Sequence, residues 1–292
     1  MQAVIKTTVK KLINLATAMV GTGRAGCYVY RQIVANVMGR VQHVHHAGVD
    51  LVFSTPNQLN QYRADTFSSK EPETLEWIDA MPPQSVVWDV GANVGLYACY
   101  AAKRRDCRVF AFEPSVFNLE LLARNIFSNG LVQKITIVPL PLSDALALNT
   151  LNMTSMEWGG ALSSFGQAYG HNGKSLKRIF EVPTLGLSMV DAVELLKIPP
   201  PDYIKMDVDG IEHLILKGGL PVLAGVKGVL IEINDEFTEQ YNRAADFLKR
   251  AGLVMLDKRQ SLEVQQNHTF SGSFNQIWGR PNAVDQALGI NT

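Results

Sequence analysis

From about residue 85 to residue 280, short apolar runs alternate along the chain with longer segments of helical character. The short runs are rich in β-branched and aromatic residues, which favour β-strands. They predict strands at Val86–Val90, Arg108–Phe112, 135–140, 203–207 and 228–233, and a closing pair at 253–257 and 276–278. The segments between them predict helices at 95–104, 118–129, 189–197, 211–218 and 237–251.

This alternation defines a fold class. Strands that alternate with helices pair in parallel through right-handed crossovers, and the helices then cover both faces of the sheet. The first strand, VVWDV, lacks the polar alternation of a half-exposed strand, as expected for one covered on both sides. The sequence therefore predicts an α/β fold with a doubly wound, mostly parallel, Rossmann-like sheet. In such a sheet, ligands bind beyond the carboxyl ends of the strands.

The regions outside this pattern suggest the domain organisation. Residues 1–75 predict an N-terminal helical extension or cap, and residues 76–282 the main domain, followed by a C-terminal tail at 283–292. Within the main domain, residues 152–178 are rich in Gly, Ser and other polar residues. A segment of this length without regular structure is usually functional or disordered. We interpret it as an insertion on the substrate side, with disorder as the alternative.

The composition restricts the partners. Lys and Arg total 27, as do Asp and Glu, so no global charge favours binding to nucleic acid. The first 50 residues nevertheless carry six basic residues and one Asp, a net charge of +5. Residues 1–24 therefore predict a basic amphipathic helix, for which we favour packing or homodimerisation over peripheral contact with an anionic membrane. Three scattered cysteines and the absence of an 18-residue apolar run favour a reducing, cytoplasmic location.

The most specific motif is WDVGANVGLY at residues 88–97. A strand ends at Asp89, Gly91 permits a tight turn, and Gly95 opens the next helix. Asn93 stands where a pyrophosphate-binding turn would have glycine, and the Asp89 carboxylate would repel a diphosphate. A ligand with a cationic end suits this turn better, and S-adenosylmethionine carries an ammonium group, a sulfonium and no phosphate.

A second candidate follows the next strand. Glu113 lies 22 residues after Gly91, close to the ~20 expected for an acid that binds ribose hydroxyls. A carboxylate accepts two hydrogen bonds and can hold a vicinal diol. The alternative is a charge in the first turn of the following helix, but the distance from the glycine turn favours the ribose role.

Together, WDVGANVGLY, FEP at 112–114, LLARNIFSNGL at 121–131 and IKMDVDGIE at 204–212 resemble the FkbM family of S-adenosylmethionine-dependent methyltransferases, over residues 72–281. The resemblance implies a class I methyltransferase fold and O-methylation of hydroxyls on sugars, glycans or secondary metabolites. It also implies roles for particular residues. Asp89, Gly91, Asn93 and Gly95 match the cofactor loop and Glu113 the ribose acid. Ser143 and Asp144 match the segment that receives the adenine edge, although Asp144 suits an Asx turn equally well.

The segment after the fourth strand, DVDGIE at 207–212, carries the candidate reactive groups. We predict Asp207 as the general base and His213 as the second candidate. Asp209 stands where the family usually has Glu. Asp207, Asp209 and Glu232, at the end of the next strand, also suggest a Mg²⁺ site like that of the macrocin-type sugar O-methyltransferases. Capping of the following helix is the alternative for the two aspartates.

Two other functions remain open at this point. An NAD-dependent oxidoreductase has the same fold, although the G-x-G-x-x-G run is absent and Asp89 disfavours a diphosphate. A non-catalytic cofactor-binding scaffold docked to a membrane is the other alternative. Such a scaffold would not need the acidic cluster.

Overall fold

The structure, a computed structural model, describes residues 2–21, 23–260 and 272–281. In chain order the helices are α1 (Gln2–Val20), α2 (Arg24–Met38), α3 (Gln58–Asp65), α4 (Pro72–Asp79), α5 (Leu96–Arg105), α6 (Val116–Ser128), α7 (Met189–Glu194), α8 (Glu212–Lys217), α9 (Leu220–Leu223) and α10 (Thr238–Arg250). The strands are β1 (Val41–His46), β2 (Val49–Ser54), β3 (Val86–Val90), β4 (Arg108–Phe112), β5 (Ile135–Val138), β6 (Ala147–Met153), β7 (Ser163–Phe165), β8 (Phe180–Gly186), β9 (Tyr203–Met206), β10 (Gly228–Asn234), β11 (Val254–Arg259) and β12 (Ser273–Gly279).

Seven strands form the central sheet in the order β11-β12-β10-β9-β3-β4-β5. The pairs from β10 to β5 are all parallel, and β12 pairs antiparallel with both β10 and β11. The predicted doubly wound, mostly parallel sheet is confirmed, including its closing pair of strands. Chain order reverses between β3 and β9, and the crevice at such a switch point is where these sheets bind ligands.

The strands build two apolar cores, one on each face of the sheet. In β3, Trp88 and Val90 belong to the core that includes Ile204, whereas Val87 belongs to the core formed with α5. Successive side chains of a strand point to opposite faces. Because both faces are covered, both sets of positions are apolar, which explains why the strand shows no polar alternation.

The N-terminal region departs from the predicted helical extension. It contains the antiparallel hairpin β1–β2 as well as helices. Leu51 and Phe53 of β2 alternate with polar or less buried residues and enter the core beside α5. Two asparagines, one in α6 and one directly after it, also bind the β2 backbone: Asn125 accepts from the Ser54 amide (2.7 Å), and Asn129 accepts from the Val52 amide (2.9 Å). The hairpin is therefore part of the main body.

Residues 152–178 are mostly irregular, as expected, but they include parts of two strands. Strands β6, β7 and β8 form a separate three-stranded antiparallel sheet in the order β7-β6-β8, and residues 152–153 and 163–165 of this segment lie in β6 and β7. Strand β6 exposes its first half and buries Leu151, Asn152 and Met153 at its end. The predicted tail at 283–292 lies outside the described residues. None of the helices in the described ranges is long and apolar enough to cross a membrane.

Candidate active site

A cavity of about 500 Å³ opens at the carboxyl ends of the parallel strands. Its wall includes residues that end or follow four of them: Gly91 after β3, Glu113 after β4, Asp207 after β9 and Glu232 in β10. Gly91 and Asp207 flank the switch point between β3 and β9. The sheet therefore brings together residues that are up to about 140 positions apart in the chain.

The glycine turn after β3 is tightly enclosed. Gly91 has φ +82°, and a Cβ atom there would lie 1.9 Å from the backbone oxygen of Asp207. Gly95 has φ +81°, and its Cβ would lie 2.3 Å from Leu122 of α6. L-residues with side chains rarely adopt such φ values. Both positions require glycine, for the backbone conformation and for the close approach of neighbouring elements.

Glu113 is buried in the cavity wall. Its carboxylate accepts hydrogen bonds from the backbone amides of Asn93 and Ser115, both at 2.8 Å. Burial raises the pKa of Glu113 to about 7, although these hydrogen bonds act in the opposite direction. The side chain thus joins the glycine turn to the end of β4. Each carboxylate oxygen still has a lone pair with which to accept a ligand hydroxyl.

Asp89 lies on the opposite side of the glycine turn. It pairs in register with Lys205 of β9, so the two side chains share one face of the sheet. Both line a smaller cavity of about 60 Å³, to which Gly91 and Asp207 of the main cavity also contribute. Burial raises the pKa of Asp89 to about 6, and its Oδ1 atom is buried without a hydrogen-bond partner in the described structure. An orphaned buried acceptor of this kind suits a bound cationic donor.

Lys205 balances a group of acidic side chains. Its Nζ lies 3.4 Å from an oxygen of Asp207. Burial alone would lower the pKa of Lys205, but the charges of Asp207, Asp89 and Glu71 outweigh burial and raise it. Burial would likewise raise the pKa of Glu71, but the charges of Lys70 and Lys205 lower it to about 2. Lys205 therefore remains charged beside the cavity.

Asp207 is the more accessible carboxylate of the acidic cluster. Its side chain is 35% exposed, and it lines both cavities. Asp209 is directed elsewhere, because its Oδ2 accepts hydrogen bonds from the amides of Leu162 (2.7 Å) and Ser163 (3.2 Å). Burial and the charges of Asp207 and Glu212 raise the pKa of Asp209 to about 8. Asp209 is therefore held by the backbone at 162–163 and is less open to a ligand than Asp207.

The residues predicted to bind Mg²⁺ do not fit a metal site. Asp207, Asp209 and Glu232 all line the cavity, but Asp209 uses an oxygen on backbone amides, and burial raises the pKa of Glu232 well above its usual value. A hard cation requires ionised or carbonyl oxygens that converge on one point. Within the described ranges, no group of three or more His, Cys, Asp or Glu side chains is arranged to hold a metal ion.

Residues 158–163, which we call the strap, close one side of the cavity. Helix α3 and the residue before it hold its first part: the Trp158 carbonyl accepts from the amides of Asn57 (2.9 Å) and Asn60 (2.7 Å). Arg63 donates from Nη2 to the Gly159 carbonyl at 2.7 Å. The N-terminal region is thereby connected directly to the candidate site.

The glycine turn and α6 hold the next part of the strap. Asn93 and Asn118 donate to the Gly160 carbonyl at 3.0 and 3.1 Å, and Asn118 accepts from the Gly159 amide at 3.1 Å. The Asn93 side chain thus contacts protein backbone on the strap. Asp209 binds the last part of the strap, at residues 162–163. Side chains from four regions of the chain therefore hold this short backbone segment.

Five predicted site residues do not line the main cavity, and only the first of them lines the smaller one: Asp89, Gly95, Ser143, Asp144 and His213. Asp144 pairs with Lys217 at 2.8 Å, and the backbone at 143–144 packs against Gly218, so Ser143 and Asp144 do not line the cavity. Residues 140–142, just before them, do line it. His213 is also outside it: the ring is buried on α8 with its edge toward Phe237 at a centroid distance of 6.0 Å, and burial lowers its pKa. The structure therefore does not bring His213, the second candidate for the general base, to the cavity.

The sequence prediction also missed functional candidates. Arg63, Lys70 and Glu71 line the cavity but belong to the region treated as a separate cap. Lys205 of β9 was not among the predicted site residues. A lysine in the centre of an apolar, doubly covered strand is unusual enough to mark a paired or functional charge. That pattern alone could have identified Lys205, whereas no local pattern identifies Arg63.

The sheet order and the cavity at its switch point define an α/β protein of the class I methyltransferase type. A model of the methyltransferase FkbM domain matches residues 89–255, more than half of the chain. The chain therefore belongs to the FkbM methyltransferase family.

Among curated proteins, the hexuronic acid methyltransferase AglP of Haloferax volcanii is 29% identical over 156 residues, which cover 51% of this chain and 56% of that protein. The chain thus matches little more than half the length of this relative. Among solved structures, the FkbM methyltransferase of Methylobacillus flagellatus KT has a TM-score of 0.44 at 14% identity, covering 68% of this chain and 44% of that one. The tRNA m1G37 methyltransferase of M. jannaschii has a TM-score of 0.45 at 14% identity, with coverages of 82% and 56%.

Proposed function

We propose that this protein is an S-adenosylmethionine-dependent O-methyltransferase that acts on a hydroxyl group of a sugar or glycan. The observation that supports it best is the placement of Gly91, Glu113 and Asp207 on the wall of one cavity. These residues supply a glycine turn, an acceptor for ribose hydroxyls and an accessible carboxylate. The proposal gives each of them a function.

The residues present suit this cofactor. Glu113 would accept hydrogen bonds from the ribose hydroxyls, and apolar residues at 140–142 with Phe112 would contact the adenine ring. The orphaned Oδ1 of Asp89 would accept from the ammonium group of the methionine part. When bound, the cofactor supplies a methyl group that is already electrophilic, so the protein needs chiefly to orient the acceptor oxygen.

Asp207 is the proposed general base. Its carboxylate is partly exposed in the cavity and lies 3.4 Å from the Nζ atom of Lys205. An alcohol hydroxyl has a high pKa, so its proton must pass to an acceptor as the oxygen is methylated. Asp207 would take that proton. Asp209 is less available for this role, because its Oδ2 already accepts hydrogen bonds from two backbone amides.

The choice of a sugar acceptor draws on the relative in Haloferax volcanii, which is named a hexuronic acid methyltransferase. Polar residues also line the cavity away from the glycine turn, including Thr154, Ser155 and Asn275. Such groups suit an acceptor that carries several hydroxyls. We therefore expect a sugar to bind there.

Calorimetry with S-adenosylhomocysteine tests the proposed function. We expect micromolar binding by the unaltered protein and loss of that binding in Glu113→Ala, because the ribose hydroxyls then lose their acceptor. The control is Glu120→Ala on the exposed side of α6, where Glu120 pairs only with Arg124, and it should bind normally. Binding of NADH without adenosylhomocysteine would favour an oxidoreductase instead, and binding of neither would exclude both cofactors.

The same titration has an expected pH dependence. The ribose hydroxyls bind the ionised form of Glu113, whose pKa of about 7 is raised by burial. Below that pH the carboxylate must release a proton on binding, so affinity should fall by up to about tenfold per pH unit and level off above pH 7. In Glu113→Gln this dependence should disappear. A flat profile for the unaltered protein would contradict the role of Glu113.

A further inference from the structure

Arg63 is the residue of the cavity wall whose function is least explained. It lies in α3, outside the segment matched by the family model, and contributes to the walls of both cavities. Its Nη2 donates to the Gly159 carbonyl of the strap at 2.7 Å. A carbonyl oxygen uses one of the five N–H donors of a guanidinium group. The remaining donors are available for another acceptor.

Arg63 also lacks a counter-ion. No carboxylate of the described residues forms an ion pair with it, and its Nε is buried without a hydrogen-bond partner. The neighbouring lysines differ in this respect, because Lys70 pairs with Glu71 at 2.8 Å and Lys205 lies beside Asp207. A buried unpaired donor on a permanent cation is costly unless a ligand satisfies it.

We propose that Arg63 binds a carboxylate group of a ligand in this cavity. This inference rests on the proposed function. The planar guanidinium fork matches a carboxylate better than any neutral group of a sugar or nucleoside does. Two ligands of the proposed reaction can supply the carboxylate: the methionine part of the cofactor, or an acidic sugar as acceptor. Glu71, the acidic residue nearest in sequence among those lining the cavity, already pairs with Lys70 and leaves the charge of Arg63 unbalanced.

The test compares Arg63→Gln with the unaltered protein for two pairs of ligands. Adenosylhomocysteine and 5′-methylthioadenosine differ in the amino-acid part, and their affinities are measured by calorimetry. D-glucuronate and D-glucose differ in the carboxylate, and their binding to protein saturated with adenosylhomocysteine is measured by saturation-transfer NMR. If the cofactor supplies the carboxylate, Arg63→Gln weakens adenosylhomocysteine at least about tenfold and leaves methylthioadenosine unchanged.

If the sugar that accepts the methyl group supplies the carboxylate, adenosylhomocysteine binds normally to Arg63→Gln, and only the preference for glucuronate over glucose is lost. Arg63→Lys should retain part of the binding that Arg63→Gln loses, because lysine keeps the positive charge but lacks the paired N–H donors of the guanidinium group. Asn60→Ala removes a strap contact without changing charge and should alter neither pair selectively. If Arg63→Gln leaves the affinities for both pairs of ligands unchanged while adenosylhomocysteine still binds, this inference fails and the proposed function stands. If the unaltered protein binds no adenosylhomocysteine, the proposed function fails first.

A separate observation concerns helices α1 and α2. Their described side chains expose a run of large apolar residues, Val9, Leu12, Ile13, Leu15, Val20, Tyr28, Val29, Ile33 and Val34. Helix α2 has no buried residue, and the Tyr30 hydroxyl bonds to the Thr17 carbonyl of α1. The two helices thus contact each other and leave an apolar surface uncovered. Surfaces of this extent mark an interaction site.

We propose that this surface, the α1–α2 hairpin, docks on an anionic lipid membrane. Neither helix contains an acidic residue, and Asp50 is the first one in the chain. Lys10, Lys11, Arg24 and Arg31 accompany the exposed apolar residues. Apolar side chains combined with unopposed basic charge suit the interface of an anionic bilayer better than a protein surface of mixed charge.

Vesicle sedimentation tests the docking. The full chain should sediment with vesicles that contain phosphatidylglycerol and much less with pure phosphatidylcholine, and Leu12→Glu combined with Ile33→Glu should abolish it. The matched control is Leu148→Glu, since Leu148 is 80% exposed on β6, remote from the hairpin in sequence. Equal sedimentation of the double variant would overturn the proposal. So would a dimer in analytical ultracentrifugation that the double variant dissociates, which would make a second copy the occupant.

Discussion

Replacing Asp207 with Asn is expected to lower kcat by about 10²–10⁴-fold, the usual contribution of a general base. Affinity for S-adenosylhomocysteine should be unchanged, because binding of this product does not involve transfer of a proton to Asp207. The amide keeps the size of the carboxylate but cannot take up the hydroxyl proton. The assay follows transfer of a tritiated methyl group from S-adenosylmethionine to hexuronic acids and neutral sugars, across pH.

Two neighbouring carboxylates provide the controls for Asp207. Asp209→Asn keeps an oxygen that can accept from the Leu162 amide, so kcat should fall much less. Glu232→Gln should also have a small effect, since the proposed mechanism passes the hydroxyl proton to Asp207 and the amide keeps the size of the Glu232 side chain. A large fall in Glu232→Gln with a normal Asp207→Asn would assign the base to Glu232.

Gly91→Ala is expected to abolish binding of adenosylhomocysteine and to destabilise the fold. An alanine at φ +82° costs about 1–2 kcal/mol. Its Cβ would also lie 1.9 Å from the backbone oxygen of Asp207. Neither backbone can move without separating β3 from β9, so we expect a further loss of about 1–3 kcal/mol in the free energy of unfolding.

Gly130→Ala separates these two contributions to the effect of Gly91→Ala. Gly130 follows α6 at φ +69°, and a Cβ atom there would meet nothing within 4 Å. The Gly130→Ala variant should therefore lose only the free energy that an alanine at positive φ costs, and it should bind adenosylhomocysteine normally. Urea unfolding and calorimetry measure both effects. Equal destabilisation of the two variants, or normal binding by Gly91→Ala, would show that the close approach at the switch point does not matter.

Much of the sheet is predictable because its elements are local. The run VVWDV is apolar at every position but one and ends at a glycine turn, and β3 and β4 have the predicted bounds. The local pattern did not predict the sheet of β6, β7 and β8. That sheet depends on pairing β6 with β8 about 30 residues later, and side chains from four distant regions hold the strap. Non-local pairing of short strands leaves no periodic pattern in one short window.

The candidate site likewise contains residues whose position strand order predicts and residues whose position it does not. Glu113 and Asp207 follow strands directly, so their place at the carboxyl edge could be inferred from strand order, and their chemical roles remain proposals. Asp144 and His213 also come a few residues after predicted strands, but the chain turns away from the cavity before it reaches them. Asp144 meets Lys217 and His213 meets Phe237. The direction of a side chain after a strand depends on backbone turns that spacing alone does not define.

By itself, the sequence determined the alternation of strands and helices, the glycine turn and the family to which the chain belongs, because each is encoded in contiguous residues. Only the tertiary structure decided that Arg63 reaches the cavity, that Lys205 balances the acidic side chains, and that Asp209 binds the strap. These depend on contacts between distant segments, and their energies come from burial and charge in a shared cavity.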